Sequence, residues 1–305
     1  MGEKSAFTAV IGRPSAGKST LVNKICGEKV AIISPFPQTT RNAIRGIYNS
    51  EQGQLVFIDT PGMHKSDKKI NLKLKDVSIR AVREADIILY VIDATRPPGS
   101  EEAGIAAFIA PFSQKTVVAV NKTDLCTNKD INCVLAFLAN SFPGFEKMQH
   151  FAISAKKGEG ITALLTALFD MAAEGTPFYD KEYYTDQEIS FRITEIIREQ
   201  AIKRLRQELP HALYVEAADI EFTGNPSAQD PLQRTLWVRA FIAVERDSQK
   251  GIVVGEGGVM IKSIRIAALK ELRQIFDWKI KLDLRVKTKK DWRHNDNILQ
   301  KIIGS

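Results

Sequence analysis

The chain has 305 residues, 44% hydrophobic and 26% charged, a composition of soluble globular proteins and a length that suits two domains rather than one core. No apolar run approaches the length of a bilayer crossing, the first residues carry no secretory signal, and Cys26, Cys126 and Cys133 lack disulfide or zinc spacing, so all three are expected to be packing residues in a reducing cytosol. The net charge of +7 lies wholly in the tail, since residues 248–305 hold thirteen Lys or Arg against six Asp or Glu; such a tail suits nucleic acid or an acidic membrane surface, or is a solvated helix face.

In the first half, short β-branched runs at 7–11, 55–58, 87–92, 116–120 and 151–153 alternate with helical patterns, which predicts a mostly parallel sheet with helices on both faces. Residues 43–48 add an antiparallel edge strand, because only the turn 49–53 separates them from 55–58. Gly175, Thr176 and Pro177 stop a helix, and the aromatic, acidic stretch that follows reads as a linker. The expected organisation is an α/β domain over 1–175, a linker over 176–188 and a second domain over 189–305. The second domain has a helix over 189–209 stopped by Pro210, strands at 213–222 and 236–245, a Gly-rich turn, a helix over 260–276 and a strand at 279–286, an α+β order.

Gly12-Arg13-Pro14-Ser15-Ala16-Gly17-Lys18-Ser19 follows the first strand and opens a helix. Glycines let the backbone curl around a phosphate, and the helix start adds N–H donors. Lys18 is placed to reach β- and γ-phosphates, and the Ser19 hydroxyl to ligate Mg²⁺. Asp59-Thr60-Pro61-Gly62 ends the third strand, so that Asp59 can hold Mg²⁺ through water and the Gly62 N–H can sense the γ-phosphate. In the intervening Gln38-Thr39-Thr40-Arg41, a threonine, Thr40 before Thr39, can complete the metal shell. Lys18, Thr40 and Gly62 are the candidate catalytic groups.

Asn121-Lys122-Thr123-Asp124 decides the base. The Asp124 carboxylate can accept from guanine N1–H and N2–H, donors that adenine lacks on that edge, while the Lys122 stem covers the purine face. Ser154-Ala155-Lys156 can supply a backbone N–H to the guanine carbonyl. The residue after Gly62 is Met63, where a water-orienting glutamine stands in Ras-like proteins, so slow turnover is expected, raised by a partner or by ordering of the loop 31–42.

The four segments resemble those of translation-factor-class GTPases, and the Gln38–Arg41 and Asp59–Met63 segments resemble the Era branch. Era-like phosphate loops usually carry Asn at the position of Ser15, and in related GTPases that Asn helps bind an activating potassium ion; serine offers one shorter oxygen. In the second half, Lys250, Gly251, Val254, Gly255, Glu256, Gly257 and Gly258 precede a helix carrying Lys262 and Arg265 one turn apart. The Gly255-x-x-Gly258 loop and the αββααβ order have the form of a type II KH domain, in which such a loop clamps single-stranded nucleic acid. Glu256 stands where the family commonly has lysine or an uncharged residue. Lys287-Thr288-Lys289-Lys290-Asp291-Trp292-Arg293 joins charge to an indole that can stack on a base, rest at lipid headgroups or cover the core.

The resemblance spans almost the whole chain. It implies GTP/GDP and Mg²⁺ as ligands, hydrolysis of GTP, and binding to the 3′ region of small-subunit (16S) ribosomal RNA in the maturation of the 30S subunit, with peripheral contact to the inner face of the cell membrane as a family trait. Two other readings stay open: an RNA-binding assembly module in which nucleotide is structural, and a membrane-surface GTPase with no RNA role.

Overall fold

The computed structural model describes residues 2–34, 36, 39–63, 69–205, 209–224 and 234–303. Gln38, part of the loop 31–42, residues 64–68, and residues 206–208 of the expected helix 189–209 lie outside the described residues. Two units emerge, one holding Pro37–Asp186 with the residues before Ser34, the other Gln187–Ile302.

The first unit runs β1 (Lys4–Ile11), α1 (Lys18–Cys26), β2 (Ile44–Ser50), β3 (Gly53–Asp59), α2 (Lys69–Glu84), β4 (Ile87–Asp93), α3 (Ser100–Ile109), β5 (Thr116–Asn121), α4 (Asn128–Ser141), β6 (His150–Ala152), α5 (Ile161–Met171) and the two-residue β7 (Ala173–Glu174). The sheet order is β2-β3-β1-β4-β5-β6. β1, β3, β4, β5 and β6 are mutually parallel, β2 is antiparallel to β3 as expected, and β7 pairs antiparallel with the start of β1. β3, β4 and β5 are buried along their whole length, which is why they read as continuous apolar runs rather than alternating ones. Residues of α2, α3 and α4 form one apolar cluster with β1 and β4, while α1 and α5 bury Leu21, Val22, Leu164 and Leu168.

α4 starts on a capping box: Thr127 accepts from the Asp130 N–H and Asp130 accepts from the Thr127 N–H. Its buried positions are Val134 and Leu138, one turn apart. Cys133 stands one residue off that stripe and is exposed, which corrects its expected packing role. Cys26 and Cys126 are half-buried, and burial pushes the Cys26 thiol up to about 12.

Residues 178–186 are tied along β2 and β3. The fully buried Gln54 accepts from the Phe178 and Tyr179 N–H groups at 2.8 and 3.0 Å and donates to Tyr179 O at 2.8 Å. The Ile47 N–H donates to Tyr184 O at 2.9 Å, the Thr185 hydroxyl to Arg45 O at 2.8 Å, and Arg45 pairs with Asp186 at 2.8 Å.

The second unit contains α6 (Ile189–Arg204), α7 (Leu209–Ala212), β8 (Leu213–Gly224), β9 (Arg234–Val244), α8 (Asp247–Val254), α9 (Val259–Ile275), β10 (Lys279–Thr288) and α10 (Asp296–Ile303). Its sheet, β10-β9-β8, has β9 parallel to β10 and antiparallel to β8, with an irregularity between Ala217 and Asp219. β9 alternates: Leu236, Val238, Ala240 and Ile242 enter a core shared with α6 and α9. Pro210 does not stop the first helix. That helix ends at Arg204, where Leu205 turns to extended backbone, and Pro210 sits second in α7, where a missing N–H leaves no bond unmade.

Trp292 settles its three readings in favour of the core. The indole is fully buried, lies 4.9 Å from the Tyr214 ring and donates its Nε1–H to Ala212 O at 3.1 Å. Trp292→Ala is expected to destabilise this unit by about 3 kcal/mol, a loss of the size typical for a buried aromatic; an unchanged thermal midpoint in calorimetry would contradict this. Among the described residues no helix is long and apolar enough to cross a membrane.

Candidate functional site

All four motif segments sit at the carboxyl edge of the parallel sheet: the phosphate loop after β1, Asp59 at the end of β3, Asn121 at the end of β5, and Ser154 just past β6. Parallel strands bring their carboxyl ends to one edge, where α/β sheets place ligands.

The phosphate loop folds over the start of α1. Lys18 is buried, and its Nζ donates to Gly12 O and Arg13 O, each at 3.1 Å. Burial lowers its pKa to about 8, against the opposing pull of the Asp59 and Glu102 charges. Ser15 stands exposed in left-handed backbone at φ 63, a conformation that asparagine tolerates better than serine. The Arg13 side chain is buried, with its Nε facing Glu102 Oε2 at 2.8 Å while the Tyr90 hydroxyl donates to Glu102 Oε1 at 3.0 Å. Sequence reasoning placed Arg13 at the phosphates by its motif and missed Glu102 and Tyr90. They lie on elements with no motif of their own, and only the tertiary fold gathers them.

Asp59, Ser19 and Thr40 meet at one point. Asp59 Oδ2 accepts from Ser19 Oγ at 2.6 Å and Thr40 Oγ1 at 3.4 Å, and the two hydroxyl oxygens are 3.0 Å apart. Asp59 Oδ1 is buried and accepts no hydrogen bond. Two hydroxyls and a carboxylate with an unspent oxygen make an all-oxygen set, and that set fits Mg²⁺. Burial raises the Asp59 pKa to about 6, with Lys18 and the two hydroxyls opposing. The sign for metal follows: Mg²⁺ takes the ionised carboxylate, so below about pH 6 a proton must leave first. Mg²⁺ affinity should fall about tenfold per pH unit below that point, a slope that titration calorimetry between pH 5 and 7 measures; a flat profile would contradict it.

Thr60, Pro61, Gly62 and Met63 shape the turn after β3. The Thr60 hydroxyl donates to Val10 O at 2.7 Å and Ser78 Oγ to Pro61 O at 3.0 Å. Gly62 crosses the phosphate loop so closely that a Cβ there would lie 2.6 Å from Pro14 N. The Met63 N–H donates to Gly12 O at 3.3 Å, but its side chain is buried in the core with Ile58, Ile92 and Ala94. Its contact with the phosphate loop is therefore made by backbone.

The base-reading segments are joined through Asn121. Its Nδ2 donates to Ala16 O at 2.9 Å, and its Oδ1 accepts from the Ala155 N–H at 2.9 Å, so one amide braces the phosphate loop and the 154–156 turn. The Ala155 N–H thus already has a partner on Asn121. Ser154 Oγ donates to Asp124 Oδ1 at 2.7 Å, which holds that carboxylate in place. The Thr123 N–H reaches Ile153 O at 3.2 Å, and Lys122 holds left-handed backbone at φ 68 with its Nζ 2.7 Å from Asp93 Oδ2.

In the second unit, α8 ends at Val254 with Gly255 as its cap, and α9 begins at Val259. Gly255, at φ 73 and ψ 165, holds a conformation closed to other residues, and a Cβ there would lie 2.8 Å from Met260 Cβ. Lys250, Gly251, Glu256, Gly257 and Lys262 are exposed, while Val254, Gly258 and Arg265 are half-buried. Val259 and Ile266, 69% and 54% exposed, fall on the same face of α9 as Lys262 by helical spacing. This apolar stripe beside the glycine loop went unread in the sequence, because solvent exposure of an apolar helical residue has no signature in spacing alone.

The comparisons with known proteins agree with this geometry. Residues 7–122 match the family described as 50S ribosome-binding GTPase, and residues 208–293 match the KH domain. The GTPase Era of Treponema denticola is 49% identical over 298 residues, covering 98% of this chain and 99% of that one.

The chain belongs to the Era family of GTPases.

The GTPase Era of Borreliella burgdorferi is 45% identical over 301 residues, 99% of this chain and 100% of its own length. Among solved structures, Era in complex with MgGDPNP and nucleotides 1506–1542 of 16S ribosomal RNA superposes with a TM-score of 0.89 at 29% identity, over 99% of both chains. An Aquifex aeolicus Era variant bound to GDP and AlF4⁻ gives 0.90 at 29% identity, again over 99% of both. The Era-family chain has the family's fold throughout: a P-loop GTPase domain with a mostly parallel sheet, then a KH domain.

Proposed function

We propose that this chain is a GTP-hydrolysing switch that binds GTP or GDP with Mg²⁺ at the carboxyl edge of its parallel sheet and engages the 3′ region of small-subunit ribosomal RNA through its KH unit, in 30S subunit maturation. The observation that carries the nucleotide half is the meeting of Ser19, Thr40 and Asp59 at one point, with the buried Lys18 charge acting on Asp59 and Asn121 bracing the phosphate loop. A related Era solved with MgGDPNP and 16S ribosomal RNA supports both halves.

Each residue has a task in this reading. Lys18 neutralises β- and γ-phosphate oxygens, and the Gly62 N–H approaches the γ-phosphate from the turn packed on Pro14. Asp59, Ser19 and Thr40 would hold Mg²⁺, which supplies charge neutralisation between the β- and γ-phosphates. Asp124 accepts from the guanine edge. With Met63 in the core, the residue after Gly62 does not orient the attacking water, so intrinsic turnover is slow and rises when RNA or loop ordering completes the site.

Ser15 bears on cation dependence. One short hydroxyl in place of a carboxamide makes a poor potassium ligand, and turnover in K⁺ should match that in Na⁺ within about twofold. Strong K⁺ stimulation would show that another group supplies the ligand.

At the KH unit, the Gly255–Gly258 loop admits a nucleic-acid backbone, Val259 and Ile266 offer apolar surface to bases, and Lys250, Lys262 and Arg265 attract phosphates. Glu256 opposes them by its charge, so Glu256→Lys should strengthen binding at low salt. A lipid-surface role rests on the basic tail alone, because Trp292 is buried. Lys18→Ala separates a switch from a passive module. A switch loses GTP-dependent control of RNA binding and fails in subunit maturation; unimpaired maturation by this variant would favour the module.

A further inference from the structure

Asp93 ends β4, carries no motif, and is 1% exposed at the ligand edge. Its Oδ1 accepts from the Thr95 N–H at 3.0 Å and the Thr95 hydroxyl at 2.6 Å. Its Oδ2 accepts from Lys122 Nζ at 2.7 Å and Arg96 Nε at 3.1 Å. Burial alone would raise this carboxyl, yet the hydrogen bonds from Lys122 and Thr95 outweigh it and hold the group below the usual carboxylate range.

Both cations on Oδ2 lead into the nucleotide site. Lys122 belongs to the guanine segment and is the side chain whose stem covers the purine. Arg96 sends its Nη2 to Pro14 O at 3.1 Å, inside the phosphate loop. Arg13 closes the circuit from the loop, donating through Nη2 to Asp93 O at 3.2 Å and Arg96 O at 3.1 Å. One carboxylate and one guanidinium therefore stand between the lysine that covers the base and the loop that wraps the phosphates.

We infer that Asp93 is a positioning residue that couples base recognition to phosphate recognition, holding the Lys122 stem at the purine face and, through Arg96, setting the Pro14 carbonyl of the phosphate loop. The inference rests on the guanine-nucleotide reading of this edge. Coupling follows because both arms meet on one oxygen: removal of its charge loosens Lys122 and Arg96 together, whereas removal of either cation loosens one arm.

The test uses the full chain, with release of a fluorescent GDP and competition by inorganic pyrophosphate, which has phosphates and no base. Asp93→Asn and Lys122→Ala should each speed GDP release about tenfold, the effect of one charge-assisted hydrogen bond. Combined, they should stay well short of the roughly hundredfold that independent effects would give, exceeding Lys122→Ala by no more than about fivefold, the share of the Arg96 arm. Asp93→Asn should also weaken pyrophosphate about fivefold while Lys122→Ala leaves it unchanged. Arg96→Ala, at a half-exposed position safe for folding, should weaken pyrophosphate as Asp93→Asn does. Additive effects on GDP release, or pyrophosphate binding indifferent to both Asp93 and Arg96, would overturn the coupling even if thermal stability fell. Failure of the unmodified chain to bind the GDP probe would instead overturn the nucleotide reading, and the inference with it.

Discussion

Asp124→Ala should cost about a thousandfold in GDP affinity while leaving inorganic pyrophosphate binding intact. In the proposed reading the carboxylate accepts two hydrogen bonds from the guanine edge, and charge-assisted bonds contribute about 1.5–3 kcal/mol each, so losing both removes about 3–6 kcal/mol. Discrimination falls with affinity. Once the acceptor is gone, guanine keeps its N1–H and N2–H donors without partners and adenine no longer binds worse for lacking them. Ser154→Ala should produce a smaller loss of about tenfold, because the hydroxyl 2.7 Å from Asp124 Oδ1 orients the carboxylate without touching the base. Equilibrium titration with GDP, ADP and pyrophosphate measures all three effects. Equal weakening of GDP and pyrophosphate by Asp124→Ala would mean that the substitution disturbs the phosphate loop and that base reading lies elsewhere.

Gly255→Asp should abolish detectable RNA binding, a loss of at least about a hundredfold, with GDP affinity unchanged. Two causes act together. The backbone at φ 73 and ψ 165 suits glycine alone, and an added side chain would press on Met260, so the turn between α8 and α9 must rebuild. A new carboxylate in the loop would also repel the phosphate chain drawn there. Gly258→Ala makes the milder counterpart: its φ is 76 and nothing crowds its Cβ, so strain acts there without collision. Filter binding with a single-stranded RNA, paired with circular dichroism to confirm folding, distinguishes loss of the interface from loss of the unit. Full RNA affinity in a folded Gly255→Asp chain would remove the loop from the binding surface.

The elements legible in the sequence were those whose physics is local. A phosphate loop is a run of eight neighbours, and a buried parallel strand announces itself as a continuous apolar run, so β3, β4 and β5 stand where apolar patterning predicts them. The antiparallel β2 followed from a short turn. What stayed hidden was set by contacts far apart along the chain. Gln54 sits in a strand as an unremarked polar residue, yet it is fully buried because residues 178 and 179 bring the backbone groups that satisfy it. Arg13 and Glu102 form a buried pair across 89 positions, Asp93 gathers Lys122 and Arg96, and no spacing rule connects them. Pro210 was misread as a stop because proline both ends helices and begins them, and only the backbone of Leu205 shows which applies. Cys133 was misplaced by a single step around α4.

At the site, chemistry was easier to read than conformation. Ser19, Thr40 and Asp59 stand together on the oxygen set that hard cations need, and their distances add what the sequence lacked: a free oxygen on Asp59, and burial that raises its pKa to about 6. The destination of the Met63 side chain was beyond reach, since its neighbours in the core come from β3 and β4.

The central claim, that nucleotide state governs engagement of small-subunit ribosomal RNA, is tested most directly by crosslinking the full chain to cellular RNA and sequencing what is bound, in parallel with GTP and with GDP. The expected result is strong enrichment of the 3′ end of the small-subunit RNA with GTP and a clear fall with GDP. Enrichment that is equal in the two nucleotides, or absent from that RNA in both, would contradict it.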